Sequence, residues 1–436
     1  MIAEILWFLL FIKLLLFWLW LWQLKEYHFG RFFAHFETQK FKKIISSFWR
    51  LKYPKFTAKI IAIFIACVLL EFLLLRYFFL FEAVILTILF IPLVILFFQV
   101  IAVTWQNFVI TQAKKRRAEF KDLLVIGITG SYGKTSTKEF LAKMLEEKFG
   151  KDQVLKTREH QNSEMAISWS ILNDLKDSHK IFVAEMGAYQ KGGIKLLADI
   201  IKPKIGIVTG VNEQHLSTFG TMENLLSAEG GKELIESLSE KGLAFFNGNN
   251  VHCVELYNKT EIKKYLYGKE AENFGEENLA GAISVAKELG MRDEEIATAV
   301  AKIENKLPGM KIKKGVQGIN LIDASYSSNP TGVLAHLDHI KQFPGKKVVV
   351  MPCLIELGSK SKEIHKKIGQ KIAEVCDLAI ITTADRFRKI KEGAGDKALL
   401  IKNPKEIFKK IKAFCENGDI VLLEGRVPSQ LIKLLC

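Results

Sequence analysis

Cysteine is sparse in this sequence, and its spacing argues against both disulfides and zinc. Only six cysteines occur among 436 residues, and no two of them form a C-x-x-C pair. No group of cysteines and histidines has the spacing of a zinc site. We therefore expect free thiols in a reducing compartment, and the composition excludes a disulfide-stapled scaffold and a collagen-like chain.

Acidic residues are also in the minority, since 47 aspartates and glutamates face 62 lysines and arginines. The imbalance is local, because residues 1–121 hold 16 of the basic residues and 6 of the acidic ones. The same part of the chain is rich in tryptophan and phenylalanine. The excess charge therefore indicates a membrane border and not a nucleic-acid-binding surface. A hydrophobic content of 49 % excludes global disorder.

Two long apolar stretches lie in this N-terminal part. Residues 5–22 are apolar apart from Lys13, which is close to the roughly 20 residues that cross a bilayer. Residues 60–110 are too long for one crossing and predict a hairpin of two helices, at about 58–75 and 83–106. A signal peptide is the alternative for the first stretch, but no charged region precedes it and no small-residue cleavage site follows it.

Basic residues flank the predicted helices on one side. The loop 23–59 and the segment 114–121 are both rich in lysine and arginine, and the positive-inside bias places both in the cytoplasm. We therefore expect residues 1–121 to be a membrane anchor with three transmembrane helices, in a multi-pass protein of the cytoplasmic (inner) membrane. The loop 23–59 also has the pattern of an amphipathic helix that could rest on anionic lipid.

From residue 122 onward, short apolar runs alternate with amphipathic stretches. This alternation predicts parallel sheets with helices on both faces. The remaining chain exceeds one comfortable core, so we expect two α/β domains, at 122–308 and 309–436. The predicted strands are 123–128, 181–185, 205–209, 243–246, 319–323, 347–351, 378–382 and 419–423, and the predicted helices include 134–148, 221–239, 278–289, 330–342, 361–375 and 404–414.

A glycine-rich turn follows the first of these strands, in the sequence GITGSYGKTST at 127–137. Backbone N–H groups of such a turn, together with the N-terminus of the next helix, bind phosphate oxygens. Lys134 would reach the β- and γ-phosphates, and the Thr135 hydroxyl would bind Mg²⁺. The strict phosphate-loop pattern fails only because Ile128 stands where its first glycine belongs. The predicted nucleotide-binding residues of this turn are Gly130, Ser131, Gly133, Lys134, Thr135 and Ser136.

Two further polar residues follow strands of the same predicted sheet. Glu185 ends the strand 181–185, and His215 comes shortly after the strand 205–209. Ligands of open α/β sheets bind outside the carboxyl ends of the strands, and Mg²⁺ prefers oxygen ligands. We therefore expect Glu185 to bind the metal beside the phosphate loop, with His215 as a second candidate at the same edge.

Four motifs together resemble the Mur ligases. They are GITGSYGKTSTKE from residue 127, EMGA at 185–188, HLSTFGTMEN at 215–224 and DASYSSNP at 323–330. The resemblance spans about 122–436 and is strongest to the family branch that adds D-alanyl-D-alanine to a muramoyl tripeptide. It implies an α/β architecture with a P-loop parallel-sheet ATPase domain and a C-terminal Rossmann-like domain, which here would follow the N-terminal transmembrane helices predicted from the apolar stretches.

The resemblance also implies an ATP-dependent amide ligation with two Mg²⁺ ions, carried out in the cytoplasm. A substrate carboxylate attacks the γ-phosphate of ATP to give an acyl phosphate, and an amine then displaces the phosphate. The implied partners are a muramoyl-peptide acceptor, either a small molecule or lipid-linked, and an amine such as D-alanyl-D-alanine. Another amide ligation on a lipid-linked envelope precursor stays open, as does an ATP-binding scaffold without ligase activity.

Individual roles follow from the same resemblance. Thr135 and Glu185 would bind the first metal, and His215 the second. Glu229 stands where the family commonly has a carbamylated lysine, so its own carboxylate could serve there, with Lys232 as the alternative. Lys134, His215 and Glu229 are thus the expected catalytic residues. Asn278 and Asp323 match nucleotide-facing positions, and Asn162, Ser163, Tyr326 and Asn329 match substrate-facing ones.

Several positions depart from the family pattern. His160 and Ser163 replace expected asparagines, Met310 replaces an arginine, and Glu424 replaces a lysine. These changes spare the ATP chemistry and bear on the substrate. Membrane helices also occupy the place of the family's domain for the uridine diphosphate. We therefore expect an acceptor that is presented at the membrane, with the basic loop 23–59 near its pyrophosphate.

Overall fold

The structure is a computed structural model that describes residues 2–24, 51–158, 161–271, 275–304, 312–325 and 328–436. It divides into two compact units, Met1–Thr111 and Gln112–Cys436. Most of the predicted basic loop 23–59 lies outside the described residues, as does the predicted domain boundary at 308. All six cysteines are described, and none of them forms a disulfide.

The N-terminal unit consists of helices that match the predicted apolar stretches. Its described part holds α1 (Ile2–Leu24), α2 (Ala58–Tyr77) and the start of α3 (Leu80–Glu119). Thr57 caps the N-terminus of α2 by accepting a hydrogen bond from the backbone N–H of Ile60. By length and composition alone, these three described helices could each cross a membrane.

A buried carboxylate joins the three helices. Glu71 of α2 is 0 % exposed. It accepts hydrogen bonds from the Trp7 indole of α1, at 2.5 Å, and from the Thr87 hydroxyl of α3. Because an unpaired polar group is costly in an apolar interior, these two donors make Glu71 a packing point of the unit.

The described part of the second unit contains two six-stranded sheets. The first has the order β2-β3-β1-β4-β5-β6, and all of its pairs are parallel. The second has the order β11-β10-β9-β12-β8-β7, with only β7 antiparallel. The strands are β1 (Leu124–Thr129), β2 (Val154–Lys156), β3 (Ile181–Glu185), β4 (Ile205–Val208), β5 (Leu243–Asn247), β6 (Lys263–Tyr267), β7 (Ile312–Lys314), β8 (Asn320–Ala324), β9 (Lys347–Met351), β10 (Leu378–Ile381), β11 (Ala398–Leu400) and β12 (Ile420–Glu424).

Helices cover the faces of both sheets, as parallel sheets require. Around the first sheet lie α4 (Lys134–Phe149), α5 (Glu164–Asn173), α6 (Gly193–Ile201), α7 (Leu216–Phe219), α8 (Met222–Ser227), α9 (Lys232–Glu236), α10 (Val251–Lys259), α11 (Glu276–Glu288) and α12 (Asp293–Glu304). Around the second lie α13 (Pro330–Lys341), α14 (Ser361–Val375), α15 (Phe387–Ala394), α16 (Pro404–Phe414) and α17 (Ser429–Leu435). Aliphatic side chains of strands and helices form the cores.

The predicted fold class is confirmed, and every predicted strand is present. The predicted helix 221–239 is the main correction, because the chain forms two short helices there, α8 and α9. Gly230 and Gly231 separate them, and Gly231 adopts a left-handed φ of +91°. A side chain at residue 231 would also collide with Val208 of β4, since its Cβ would lie 2.5 Å from a methyl group.

Candidate functional site

The glycine-rich turn lies at the carboxyl end of β1, in the middle of the first sheet. Gly130 and Gly133 have positive φ angles of +144° and +81°. A Cβ at Gly133 would also lie 2.2 Å from Oδ1 of Asn278. Both the backbone conformation and the lack of space therefore favour glycine at this position. The Ser131 N–H donates to the Gly210 carbonyl at 2.7 Å. The turn is therefore fixed against β4 and leads directly into α4.

Lys134 begins α4 and folds back over the turn. Its ammonium donates a hydrogen bond to the Gly130 carbonyl. Its charge also helps to lower the pKa of two carboxylates, Glu185 and Glu229, that come from different parts of the domain. Lys134 is thus the cation that Glu185 and Glu229 share.

Glu185 ends β3 beside the turn and is 2 % exposed. Burial by itself raises the pKa of this carboxyl, but Lys134, Lys138 and hydrogen bonds from Asn162 and Thr135 together hold it below the ordinary value. The Lys138 ammonium lies 3.2 Å from Oε2, and the Asn162 amide donates to Oε1 at 3.0 Å. Glu185 is therefore a preformed, ionised oxygen ligand next to Thr135.

Glu229 lies in the break between α8 and α9 and is 2 % exposed. Its Oε1 is 3.2 Å from Nδ1 of His215, whereas Oε2 is buried without a hydrogen-bond partner among the described residues. Burial raises its pKa, but His215, Lys134 and the nearby Ser131 outweigh this and lower it. Lys232 instead points outward with a side chain 59 % exposed, 3.7 Å from Glu236. The geometry favours Glu229 over Lys232 as the partner of His215.

These side chains have the chemistry of a magnesium site, although no three of them cluster. Within the described residues, no group of three or more histidine, cysteine, aspartate or glutamate side chains is close enough to bind one ion. The donors come in two pairs, Thr135 with Glu185 and His215 with Glu229. Ionised carboxylates and an unpartnered buried oxygen suit a hard cation that takes its other ligands from phosphates and water. The residues present therefore fit Mg²⁺.

Two predicted substrate residues lie close to Glu185. Asn162 packs against Gly187, whose N–H donates to the Asn162 carbonyl at 2.9 Å. Ser163 caps α5, since its hydroxyl accepts a hydrogen bond from the Ala166 N–H at 3.4 Å. Asn162 therefore positions the carboxylate, while the Ser163 hydroxyl has a local role in the helix cap. His160 lies outside the described residues.

Asn278 lies near the start of α11 and packs against the phosphate loop. Its Oδ1 accepts a hydrogen bond from the Thr137 hydroxyl at 3.5 Å and faces Gly133. The structure thus brings Asn278 to the same turn as Lys134. Ser136, the last of the predicted turn residues, is half-buried in the first turn of α4.

The C-terminal domain contributes the remaining predicted residues. Asp323 lies near the end of β8 and accepts hydrogen bonds from the Ser325 N–H and hydroxyl, at 3.1 and 2.5 Å. Asn329 caps α13 and accepts a hydrogen bond from the Asn212 amide of the first domain at 2.8 Å. Asn329 therefore joins the two domains. Tyr326 and Met310 lie outside the described residues.

Glu424, at the end of β12, is 0 % exposed. Its Oε2 lies 2.6 Å from Nδ1 of His336, and burial raises its pKa. The lysine expected at this position is therefore replaced by an acid that has its own partner inside the domain.

Two residues in this region were not predicted. Lys138 lies one helical turn after Lys134, a spacing that puts both cations on one face of α4, so the sequence held a signal for it. Glu356 reaches His215 from the C-terminal domain, with its Oε2 3.8 Å from Nε2. No local pattern indicates that second contact, because it joins residues far apart in the chain.

Comparison with known proteins places this site in a family. The model of the Mur ligase middle domain matches residues 128–312, and that of the Mur ligase glutamate ligase domain matches residues 310–427. The chain belongs to the Mur ligase family. The family predicted from the four motifs is thereby confirmed.

Its relatives include enzymes of one named activity. The UDP-N-acetylmuramoyl-tripeptide–D-alanyl-D-alanine ligase of Synechocystis is 29 % identical over 71 % of this chain and 74 % of its own. The ligase of the same name from Bacillus subtilis is 25 % identical over 71 % of this chain and 75 % of its own. The sequence comparisons thus agree with the predicted branch and with the prediction of a MurF-like ligase.

Solved structures share the fold of this chain. The MurF ligase of Thermotoga maritima in complex with ADP matches with a TM-score of 0.63 and 24 % identity, covering 76 % of this chain and 83 % of that one. A MurF structure from Acinetobacter baumannii matches with a TM-score of 0.66 and 22 % identity, covering 76 % and 80 %. At these identities the likeness establishes the shared fold of this Mur ligase.

Proposed function

We propose that this chain binds ATP at the Gly130–Lys134 turn and activates a substrate carboxylate for amide formation, adding D-alanyl-D-alanine to a muramoyl tripeptide. The observation that carries the proposal is the arrangement around Lys134. Two buried carboxylates, Glu185 and Glu229, lie near the phosphate loop at the carboxyl edge of a parallel sheet, each with its own polar partner, and the charge of Lys134 helps to lower the pKa of both. Phosphoryl transfer depends on such placement of charge around the transferring group.

The residues of the chain divide the work. Backbone N–H groups of the turn and the N-terminus of α4 bind the phosphates, and Lys134 neutralises the transferring oxygens. Thr135 and Glu185 would hold one Mg²⁺, and Glu229 with His215 would face a second. Bound there, Mg²⁺ would withdraw charge from the γ-phosphate as a Lewis acid. The acceptor carboxylate then attacks the γ-phosphorus, ADP leaves, and the amine displaces phosphate from the acyl carbon while losing a proton.

The test measures amine-dependent ADP release by the full chain in detergent, with ATP, Mg²⁺, a muramoyl tripeptide and D-alanyl-D-alanine. Lys134→Ala should abolish turnover, because no other described cation reaches the turn in the same way. Lys143→Ala, on the exposed side of the same helix, is the matched control and should keep it. A Lys134→Ala variant with normal rates, or no release with any acceptor and amine, would refute the assignment.

The carboxylate of Glu229 gives a second test. If Glu229 itself supplies the oxygen beside His215, Glu229→Gln should lose turnover, and added bicarbonate should not restore it. Bicarbonate would restore activity only if a lysine, such as Lys232, had to be carbamylated. Metal affinity, measured by titration with Mn²⁺ in the presence of an ATP analogue, should fall in Glu229→Gln and stay unchanged in Lys232→Gln.

The acceptor and the membrane form a separate part of the proposal. We infer that α1, α2 and α3 cross the cytoplasmic membrane and hold both catalytic domains at its inner face. The three described apolar helices support this inference by length and composition. They also favour a lipid-linked acceptor. Rates of turnover with nucleotide-linked and with lipid-linked muramoyl peptides would test this preference. A clear preference for the nucleotide-linked acceptor would refute the hypothesis of a lipid-linked one. Protease protection in oriented vesicles would test the topology of the three helices.

A further inference from the structure

Two strained residues face each other across the two catalytic domains. Among the described residues, the non-glycine positions with positive φ are Lys202, His215, Gln317 and Glu356. His215 has φ of +68° and Glu356 of +67°. A non-glycine residue in this region is strained, and such residues persist where the surroundings determine the backbone. Here both belong to segments that are in contact.

The contact between these segments is made by backbone and side chain together. The Glu356 carbonyl accepts a hydrogen bond from the Ser217 N–H at 3.0 Å. Gly358 packs closely enough that a Cβ there would lie 3.2 Å from the Ser217 nitrogen. The Glu356 carboxylate Oε2 lies 3.8 Å from Nε2 of His215, and both side chains are 19 % exposed. We call residues 215–217 and 356–358 the docking contact.

The imidazole of His215 connects this contact to the phosphate loop. Its Nδ1 faces Glu229 at 3.2 Å, and its Nε2 faces Glu356. The Tyr189 ring packs against it edge-on, with the centroids 6.1 Å apart. The close contact with Glu229, the longer one with Glu356 and the packing of the Tyr189 ring together hold the imidazole in one orientation. Because Lys134 and Ser131 of the phosphate loop both act on the buried Glu229 carboxylate, the ring links the docking contact to that loop.

We propose that Glu356 is a positioning residue, through which docking of the C-terminal domain fixes His215 and Glu229 beside the phosphate loop. The effect of Glu356 on turnover rests on the proposed ligase function, whereas its effect on the position of His215 does not. The contact predicts that the site is fully ordered only when the two domains are docked. A carboxylate on the second domain thus ties assembly of the ATP site to the domain that carries Asp323.

The test uses the full chain and two measurements. Hydrogen exchange of a peptide covering residues 213–220 reports the docking contact, since the Ser217 N–H is one of its hydrogen bonds. Glu356→Gln and His215→Ala should each speed this exchange several-fold, and the double variant should not exceed either one, because both remove the same interaction. Thr331→Val is the matched control. It weakens a different hydrogen bond between the domains, in which the Asn212 amide donates to Thr331 Oγ1 at 3.1 Å, and its effect should add to that of His215→Ala.

Turnover is the second measurement. Glu356→Gln should lower kcat about tenfold and leave the KM for ATP within about twofold, as expected for lost positioning. Glu356→Gly relieves the backbone strain but also removes the carboxylate, so it should show the same loss of kcat. Thr331→Val should keep kcat. A loss in Glu356→Gln but not in Glu356→Gly would show that kcat does not depend on the carboxylate and would overturn the proposal.

The outcomes separate the two proposals. Additive exchange effects of Glu356→Gln and His215→Ala, or an unchanged kcat in Glu356→Gln, overturn the role of Glu356 and leave the ligase function intact. Non-additive exchange in a chain that shows no amine-dependent ADP release refutes the ligase function and supports the coupling of Glu356 to His215.

Discussion

Lys138 is the buried cation on which the geometry of Glu185 depends. Its side chain is 0 % exposed, and its ammonium lies 3.2 Å from Glu185 Oε2 and 3.3 Å from Glu139 Oε1. Lys138→Met keeps the apolar stem and removes the charge. Breaking a buried ion pair by removing one partner costs about 3–5 kcal/mol. Since Lys134 still offsets part of the charge on Glu185, we expect a loss of about 3 kcal/mol, at the low end of that range.

Thermal unfolding of the full chain in one detergent would measure this loss. For domains of this size, about 3 kcal/mol corresponds to a fall in Tm of roughly 6–12 °C. Lys143→Met is the control on the same helix, because Lys143 is 40 % exposed and its ion pairs with Glu146 and Glu147 lie at the surface. It should change stability by no more than about 0.5 kcal/mol.

A double variant distinguishes charge from packing. Glu185→Gln in the Lys138→Met background removes the carboxylate that would otherwise stay buried without its nearest cation. We expect the double variant to be more stable than Lys138→Met alone. The reasoning fails if Lys138→Met has the same Tm as Lys143→Met, or if adding Glu185→Gln to Lys138→Met lowers the Tm further.

Two other predictions concern His365 of the C-terminal domain and Gly133 of the phosphate loop. Burial lowers the pKa of His365 to about 4, so the unfolded chain binds this proton first as the pH falls. The free energy of unfolding should therefore drop by about 3 kcal/mol between roughly pH 6.5 and 4. Melting curves across this range should show a smaller drop for His365→Gln, which lacks the imidazole. The same pH dependence in both proteins would contradict the prediction. Gly133→Ala should lower the affinity for an ATP analogue at least about tenfold, because alanine would have to adopt a φ of +81° and its Cβ would collide with Asn278. Calorimetric titration that shows unchanged affinity would contradict the role of this turn in nucleotide binding.

The interior of both sheets could be predicted from the sequence, but their edges could not. The eight predicted strands are the inner strands of the two sheets, whose apolar runs are long because both faces are covered. The strands that were missed, β2, β6, β7 and β11, are the edge strands of the described sheets. They are short or rich in lysine, as in KKYLY and IKK. Edge strands carry few apolar residues and charges that oppose further pairing, so hydrophobic pattern detects them poorly.

The site divides in a similar way between local and distant contacts. Glu185 and the phosphate loop were predictable because the carboxyl ends of neighbouring parallel strands must lie side by side. Asn329 was expected to face the substrate, but its hydrogen bond to Asn212 was not predictable, and neither was the contact of Glu356 with His215, since these partners lie in the other domain. Which residues meet there depends on how two independently folded sheets pack together. Periodicity and spacing within one domain carry no information on that packing.

The choice between Glu229 and Lys232 shows how one backbone feature resolves an ambiguity of spacing. In an uninterrupted helix over 221–239, residues three apart would lie on the same face, so periodicity could not tell the two positions apart. Two consecutive glycines inside that pattern were the available signal for a break. Because the chain turns at Gly231 against β4, Glu229 stays in the break facing His215, while Lys232 starts the next helix and points outward. The turn that separates them also leaves Oε2 of Glu229 buried and without a hydrogen-bond partner among the described residues, which makes this oxygen available to a hard cation.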